Sequence, residues 1–453
     1  MRIINFATDN FLIKSSRTTK AVKQIFYSFL LQGLSIVIGL LYVPLLLNYL
    51  TQEKYGIWLT LTSILGWFSF FDVGLGNGLR NKLTQAFAAE NYTLGKKYIS
   101  TTYAILICIF SFILFVFHLG NFFLNWNSIL NTDSIAKNEL YILTSIVGSF
   151  FLIRFVFQLI SIVYFADQKP SVNNLITTSG NLLSFILVLI LTHSSIKGNL
   201  VLLGSIISAI PVLLFVVVTI IAFSGRYKLV KPSFNEIDFK LSKGLMNLGA
   251  KFFFLQIDAI ITFSTASFFI AQFYGPGEVV AYNIAFKYFQ LPVMVFSIVM
   301  SPIWSAVTDA FTKSDFNWLS KTLKRLNILS VLFSLGIILM VFLSGWVFKI
   351  WVGDKVKISL SLSIALAFYS IMTVAIAPYS SFINGLGKIK LTLSLTFVGT
   401  SLYLILIYVF GNIFTNSTGV VLAIIIPNFL GGIFQPMQTY RILNGKAKGI
   451  WNK

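Results

Sequence analysis

Long apolar runs separated by short polar connections make up most of the chain. A window of about 19 residues finds twelve runs long enough to cross a bilayer, which takes about 20 apolar residues in an α-helix. The predicted spans are residues 24–48, 57–79, 98–119, 140–165, 174–193, 200–223, 244–274, 282–307, 326–350, 360–385, 391–410 and 419–440. The second is the least uniform, because Asp72 and a glycine-rich stretch interrupt it. The pattern predicts an all-α polytopic membrane protein with about 12 transmembrane helices.

Lysine and arginine are distributed unevenly over the connections. If the N-terminus is cytoplasmic, 25 of the 34 Lys and Arg lie on the cytoplasmic side and six lie on the opposite side. The remaining three, Arg154, Lys251 and Lys287, fall inside spans. The positive-inside rule therefore places both termini in the cytoplasm. Topology and attraction to anionic lipid headgroups explain most of the net charge of +20, so nucleic-acid binding is not required.

The longest cytoplasmic connection divides the spans six and six, as parallel repeats would require. The predicted organisation is a basic N-terminus (1–23), a first six-helix bundle (24–223), a linker (224–243), a second six-helix bundle (244–440) and a cytoplasmic tail (441–453). The hairpin from Asn48 and the hairpin from Gln272 resemble each other, and each contains one glutamate, Glu53 or Glu278. The first span is too long for a signal-peptide core, so we expect it to remain in the membrane.

Composition and missing motifs exclude several classes of protein. The chain is 57% hydrophobic and 11% charged, whereas soluble domains have about 45–50% apolar and about 25% charged residues. It lacks a G-x-x-x-x-G-K-[ST] phosphate loop, and Gly74–Gly78 lacks the spacing of a dinucleotide-binding turn. The single cysteine and two distant histidines give no metal cluster. We therefore expect no catalytic motif, no metal site and no cofactor.

Polar residues inside spans mark a candidate binding site, because charge in a bilayer is costly and usually faces an interior pathway. Arg154 lies about 14 residues into the fourth span, roughly 21 Å deep, and Gln158 follows on the same helical face. Together with residues of the seventh and eighth spans, these positions predict a cationic substrate cavity with a net interior charge of about +2. Its predicted residues are Arg154, Gln158, Lys251, Lys287 and Gln290.

Two acids inside spans are candidates for ion coupling. Asp258 lies seven residues after Lys251 in the seventh span, and Asp72 lies in the second span with Arg80 near its cytoplasmic end. We predict a coupling role for Asp258 or Asp72 and a gate or anchor role for Arg80. Structural alternatives remain open: Lys287 reaching outer headgroups, Asp72 capping a helix or pairing with Arg80, and salt bridges from Lys251 and Asp258 to neighbouring helices.

Two motifs in the second span resemble a known family. The hairpin Tyr55-Gly56-Ile57-Trp58 is followed by Asp72-x-Gly-Leu-Gly, and the segment from Glu53 to Asn81 is similar to the polysaccharide-transporter family. These are the Wzx-type flippases of O-antigen and capsule repeat units, in the MOP superfamily that also contains the MATE exporters. The resemblance implies two MATE-like six-helix bundles and a central cationic cavity for an undecaprenyl-pyrophosphate-linked oligosaccharide.

The expected function is therefore that of a flippase in the bacterial inner membrane, moving lipid-linked O-antigen or capsular repeat units by alternating access. Its expected partners are the lipid-linked glycan, membrane lipids, a polysaccharide polymerase and a chain-length regulator, and its candidate coupling ions are H⁺ and Na⁺. The first alternative is a MATE-like cation or drug antiporter, which a cationic interior disfavours. The second is a membrane polysaccharide polymerase, disfavoured because no large extracytoplasmic loop is present.

Overall fold

A computed structural model describes residues 16–68, 75–167, 169–196, 198–241, 265–312 and 314–452. These residues are helical apart from short connections, and they include no β-strand. The helices are α1 (Ser16–Tyr49), α2 (Gln52–Gly66), α3 (Leu75–Ala88), α4 (Tyr92–Phe123), α5 (Trp126–Leu130), α6 (Lys137–Phe157), α7 (Leu159–Ala166), α8 (Pro170–Thr192), α9 (Leu200–Ser224), α10 (Pro276–Thr312), α11 (Phe316–Val352), α12 (Leu360–Leu386), α13 (Lys390–Ile413) and α14 (Thr418–Leu443). Residues 265–274 are also helical.

Ten of these helical stretches in the described residues are long and apolar enough to cross a membrane. They correspond to ten of the twelve predicted spans and confirm an all-α polytopic membrane protein. In the second predicted span, α2 ends at Gly66 and α3 begins at Leu75. Most of the seventh span, residues 244–264, lies outside the described residues. Large apolar side chains such as Phe112 and Phe342 are exposed, as lipid-facing helices require.

Polar side chains at the ends of the apolar runs explain where several helices begin. Asn91 accepts a hydrogen bond from the backbone N–H of Leu94 at 2.9 Å, and Asn199 accepts one from Leu202 at 2.8 Å. Asp315 does the same at the start of α11. Each cap satisfies one of the backbone donors that a first helical turn leaves unpaired. The polar connections therefore separate the spans and also determine where these helices begin.

The described chain forms two compact units. Unit 1 comprises the described residues within 1–49, 68–125 and 135–254, and its helices are α1, α3, α4 and α6–α9. Within it, α1 packs on α8, and α9 packs on both α6 and α8. Most of the predicted 224–243 linker also lies in this unit, where its short 3₁₀ turns pack on α4. A 3.5 Å ion pair between Lys96 and Glu236 ties this segment to α4.

Unit 2 contains the helices of the C-terminal half together with two segments from the N-terminal half, residues 50–67 and 126–134. Its centre is α12, which packs on α10, α11 and α14. The N-terminal-half helix α2 packs along α10. The two hairpins that resemble each other in sequence therefore meet in one unit: Gln52 donates through Nε2 to the Gly277 carbonyl at 3.0 Å.

The glutamate in each of these hairpins fastens it to a neighbouring loop of unit 2. Glu53 accepts a hydrogen bond from the Thr132 hydroxyl at 2.8 Å. Glu278 accepts two hydrogen bonds from Ser417, one from the hydroxyl at 2.8 Å and one from the backbone N–H at 3.1 Å. The Gln272 side chain also donates to the Ile129 carbonyl at 2.7 Å. These bonds explain why the loop 126–134 belongs to unit 2.

The orientation of the chain can be tested by reporter fusions. From the uneven distribution of Lys and Arg, we expect fusions after residues 235, 315 and 450 to report cytoplasm, and fusions near 130 and 415 to report the opposite side. Paired alkaline phosphatase and fluorescent-protein fusions measure this directly. A cytoplasmic signal at 130 or 415 would contradict the twelve-span topology.

A charged cluster outside the spans connects the end of α7 to the linker within unit 1. Asp167 accepts hydrogen bonds through Oδ2 from Tyr227 Oη at 2.7 Å and Arg226 Nε at 3.0 Å, and Lys169 Nζ lies 2.8 Å away. Partial burial by itself raises the pKa of Asp167, but the hydrogen bonds from these three residues outweigh it. The pKa of Asp167 is therefore held below its usual value, and the ionised form stabilises the fold.

We expect Asp167→Asn to lower the thermal unfolding midpoint of the detergent-solubilised protein at pH 7. Because the folded-state pKa lies below the unfolded value of about 3.9, the carboxylate stabilises the fold above that pH and loses its contribution as the pH falls through the folded-state pKa. The difference from wild type should thus shrink below about pH 4. Asp133→Asn, at an exposed position, is the matched control. Equal midpoints for both variants at pH 7 would contradict the role of the cluster.

Candidate functional site

Arg154 is a partly buried cation of unit 1 that lies inside a predicted span. It lies in the last turn of α6, and its guanidinium carbon is 5.8 Å from the centre of the Phe215 ring on α9. Its Nε atom is buried without a hydrogen-bond partner among the described residues. No ion pair within the described ranges includes Arg154. A guanidinium in apolar surroundings with no carboxylate beside it favours an anionic ligand.

The polar face predicted to continue from Arg154 is divided by a break in the helix. Gln158 separates α6 from α7, and its backbone N–H still donates to the Arg154 carbonyl at 2.8 Å. Its side chain is exposed. Ser161, one turn further, is 1% exposed, and its buried hydroxyl has no partner among the described residues. Unit 1 therefore buries two polar atoms without a described partner on α6 and α7, Arg154 Nε and the Ser161 hydroxyl, and leaves Gln158 exposed.

Lys287 and Gln290 lie one turn apart on α10, in unit 2. Asn283, one turn before Lys287, donates through Nδ2 to the Ser267 hydroxyl at 3.3 Å, so this face of α10 is turned towards the helical segment 265–274. Lys287 is partly buried and makes no ion pair or hydrogen bond with any residue that the structure describes. Like Arg154, Lys287 is therefore a cation inside a span that has no acidic partner among the described residues.

Arg80 differs from these two cations in its surroundings. It is exposed on α3, and its guanidinium carbon lies 5.2 Å from the centre of the Phe165 ring. Its guanidinium thus packs beside an aromatic ring of unit 1, and its gate or anchor role stays a prediction. Asp72, Lys251 and Asp258 lie outside the described residues, so their predicted pairing and coupling roles stay predictions. Within the described ranges, no group of three or more His, Cys, Asp or Glu residues is placed to hold a metal ion.

Unit 2 also contains a cavity that was not predicted from the sequence. Its volume is about 550 Å³, and it lies among α10, α12, α13 and α14. Asn384, Asn428 and Gln435 line it together with serine, threonine and tyrosine side chains. Charges inside spans are the more conspicuous signal in the sequence, whereas this lining is neutral. Three amides in the tenth and twelfth spans were the signal that could have revealed it.

The sequence matches a known family over most of its length. Residues 21–308 match the family described as "Polysaccharide biosynthesis protein". The "Putative O-antigen export protein" of Yersinia pseudotuberculosis is 23% identical over 363 residues, which cover 79% of this chain and 81% of the relative. The "Putative O-antigen transporter" of Salmonella typhi is 25% identical over 371 residues, with coverage of 78% and 81%.

Solved structures show the same fold at low sequence identity. A multidrug resistance MATE family transporter of the MOP superfamily, in its inward-facing conformation, matches with a TM-score of 0.73 and 13% identity, covering 94% of this chain and 98% of that chain. The lipid II flippase MurJ matches with a TM-score of 0.64 and 18% identity, covering 91% and 87%. The predicted MATE-like architecture is confirmed. The family match extends over more than half of the sequence, and the chain belongs to the polysaccharide biosynthesis protein family.

Proposed function

We propose that this protein is a flippase that moves undecaprenyl-pyrophosphate-linked oligosaccharide repeat units, of O-antigen or capsule, across the bacterial inner membrane. The observation that carries the proposal is Arg154, which lies in a span, has its Nε atom buried without a hydrogen-bond partner, and has no carboxylate partner among the described residues. A pyrophosphate supplies the negative charge that such a site lacks, and arginine binds phosphate oxygens through two parallel N–H donors. The O-antigen export and transport relatives support the same class of substrate.

Such a protein moves its substrate across the membrane without making or breaking a covalent bond. The polyprenyl chain of the substrate stays in lipid, while the sugars and pyrophosphate need a polar route past the hydrocarbon core. Alternating access supplies that route to one side of the membrane at a time. We propose H⁺ or Na⁺ as the coupling ion, with Asp258 or Asp72 as the coupling carboxylate. Downstream, a polymerase and a chain-length regulator would use the translocated unit.

The decisive experiment is translocation by the purified protein in vesicles. Lipid-linked oligosaccharide extracted from the cells that encode the protein is placed in both leaflets, and its exposure to an impermeant glycosidase is followed over time. We expect protein-dependent movement of this lipid and no efflux of a cationic dye such as ethidium from the same vesicles. Vesicles without protein give the background rate. Dye efflux without lipid movement would replace the flippase proposal with the cation exporter.

A further inference from the structure

We propose that the neutral cavity of unit 2 binds an uncharged part of a saccharide, and this inference rests on the proposed function. The cavity has a volume of about 550 Å³, within the range of about 300–1,000 Å³ that small-molecule sites occupy. Among the described residues that line it there is no Asp, Glu, Lys, Arg or His. It therefore offers neither a counter-charge for a pyrophosphate nor a carboxylate for an organic cation.

The lining presents hydrogen-bonding groups that the protein itself leaves unused. Thr392 has a buried hydroxyl without a partner among the described residues. The side chains of Ser381, Asn384 and Thr396 also form no hydrogen bond with any part of the chain that the structure describes. A buried hydroxyl without a partner, such as that of Thr392, normally binds a ligand or ordered water, and the three partly exposed side chains in the same lining are open to the same ligand. Hydroxyls and an amide together provide both donors and acceptors in one small space.

Two further amides in the cavity each have one side-chain polar atom in a hydrogen bond within the chain and one that is available to a ligand. Asn428 donates through Nδ2 to the Ile424 carbonyl at 2.8 Å, which leaves its side-chain oxygen as an acceptor. Gln435 accepts a hydrogen bond from the Ser380 hydroxyl through Oε1, which leaves its NH₂ group as a donor. Alternating donors and acceptors without charge match the hydroxyl groups of a sugar, each of which donates and accepts. A lipid tail would leave these groups unpaired at a cost of about 1–3 kcal/mol each.

Two tyrosine rings also line the cavity, and one end of the cavity lies near the turn between two helices. Tyr369 and Tyr403 line the cavity and provide apolar ring faces beside the polar groups. At one end the cavity is lined by Asn384 and Thr392, which lie on either side of the turn between α12 and α13. This turn is on the cytoplasmic side by the charge distribution, so we place the sugar-binding cavity on the side from which the lipid-linked unit is loaded.

The neutral cavity is separate from Lys287, which lies on α10, one of the helices that line the cavity. Lys287 precedes Ser297, a cavity residue, by ten residues of α10, or about 15 Å along the axis. A charged headgroup and the sugars attached to it are likewise separated along one molecule. We infer that unit 2 binds the two parts of the substrate at different depths, with Lys287 near the charged part and the cavity around the neutral part.

The test is equilibrium binding of the oligosaccharide without its lipid. The repeat unit is released from the surface glycan of the encoding cells, reduced with tritiated borohydride, and dialysed against the full-length protein in detergent. We expect saturable binding that weakens about 5-fold in Asn428→Leu and more than 10-fold in the Asn384→Leu/Asn428→Leu double variant, as loss of one and then two ligand hydrogen bonds predicts. Thr396→Val, a nearly isosteric change, should weaken binding about 3-fold.

Asn412→Leu is the matched control, because Asn412 donates to the i−4 carbonyl of Tyr408 just as Asn428 does to Ile424, yet it is exposed and lies outside the cavity. It should bind as wild type does. Absence of saturable binding to wild type, or wild-type binding by Thr396→Val and the double variant alike, would overturn the proposal. If the sugar binds but the lipid-linked form is not moved in vesicles, the flippase proposal fails while the cavity assignment stands.

Discussion

Arg154→Gln should lower the translocation of lipid-linked oligosaccharide by about ten- to a hundredfold while the protein stays at normal abundance in the membrane. The substitution keeps a long polar side chain in α6 but removes the charge. A charge-assisted hydrogen bond contributes about 1.5–3 kcal/mol, which corresponds to roughly that range of rates. The measurement is the vesicle assay, supported by surface-glycan levels in a deletion strain complemented with the variant.

A second variant at this position separates the effect of charge from that of geometry, and a control variant lies elsewhere in unit 1. Arg154→Lys should keep part of the activity if the pyrophosphate needs only a positive charge, and little if it needs the two parallel donors of a guanidinium. Lys137→Gln is the control, because Lys137 is exposed in the first turn of the same helix, and its loss should change the rate by less than about threefold. Full activity in Arg154→Gln would remove this residue from the substrate site.

The spans and the fold could be predicted because the signal is repeated along the whole chain. Each apolar run must satisfy its own backbone hydrogen bonds in lipid, so a helix is the only structure open to it. The second predicted span was the exception, because it is not one continuous helix. The sequence indicates why: α2 ends at Gly66, close to the glycine-rich stretch that follows. Apolar content alone could not indicate that α2 would pack with α10 in unit 2, because that depends on contacts distant in sequence.

The candidate site was predictable only in part. Charges inside spans are rare enough to stand out, so Arg154 and Lys287 were found from the sequence and lie without described counter-charges. Ser and Thr are common in membrane helices, and most of them donate to the carbonyl one turn earlier, as Thr373 does to Tyr369. The few with unused hydroxyls, such as Thr392, cannot be distinguished by sequence. The neutral cavity depends on those exceptions.

Gly56→Ala should lower both the stability and the transport activity of the protein, because the structure has no room for a side chain there. Gly56 is buried in α2, and a Cβ at this position would overlap the carbonyl group of Pro276, the first residue of α10. Backbone atoms cannot rotate away as a side chain can, so α2 and α10 must separate. Overpacking of this kind costs about 1–3 kcal/mol, which for a chain of this length lowers the unfolding midpoint in detergent by roughly 1–3 °C.

The loss of activity should exceed the loss of folded protein, because α10 carries Lys287 and contributes Ser297 to the neutral cavity. Displacing its first turn also disturbs the hydrogen bond from Gln52 to Gly277. Gly39→Ala in α1 is the matched control: no atom lies within 4 Å of a Cβ built there, and alanine is favoured over glycine in a helix by up to about 1 kcal/mol. Its midpoint should be equal to or above that of wild type. If Gly56→Ala melts and transports as Gly39→Ala does, the close contact between α2 and α10 is not required, and the meeting of the two repeated hairpins has no role in transport.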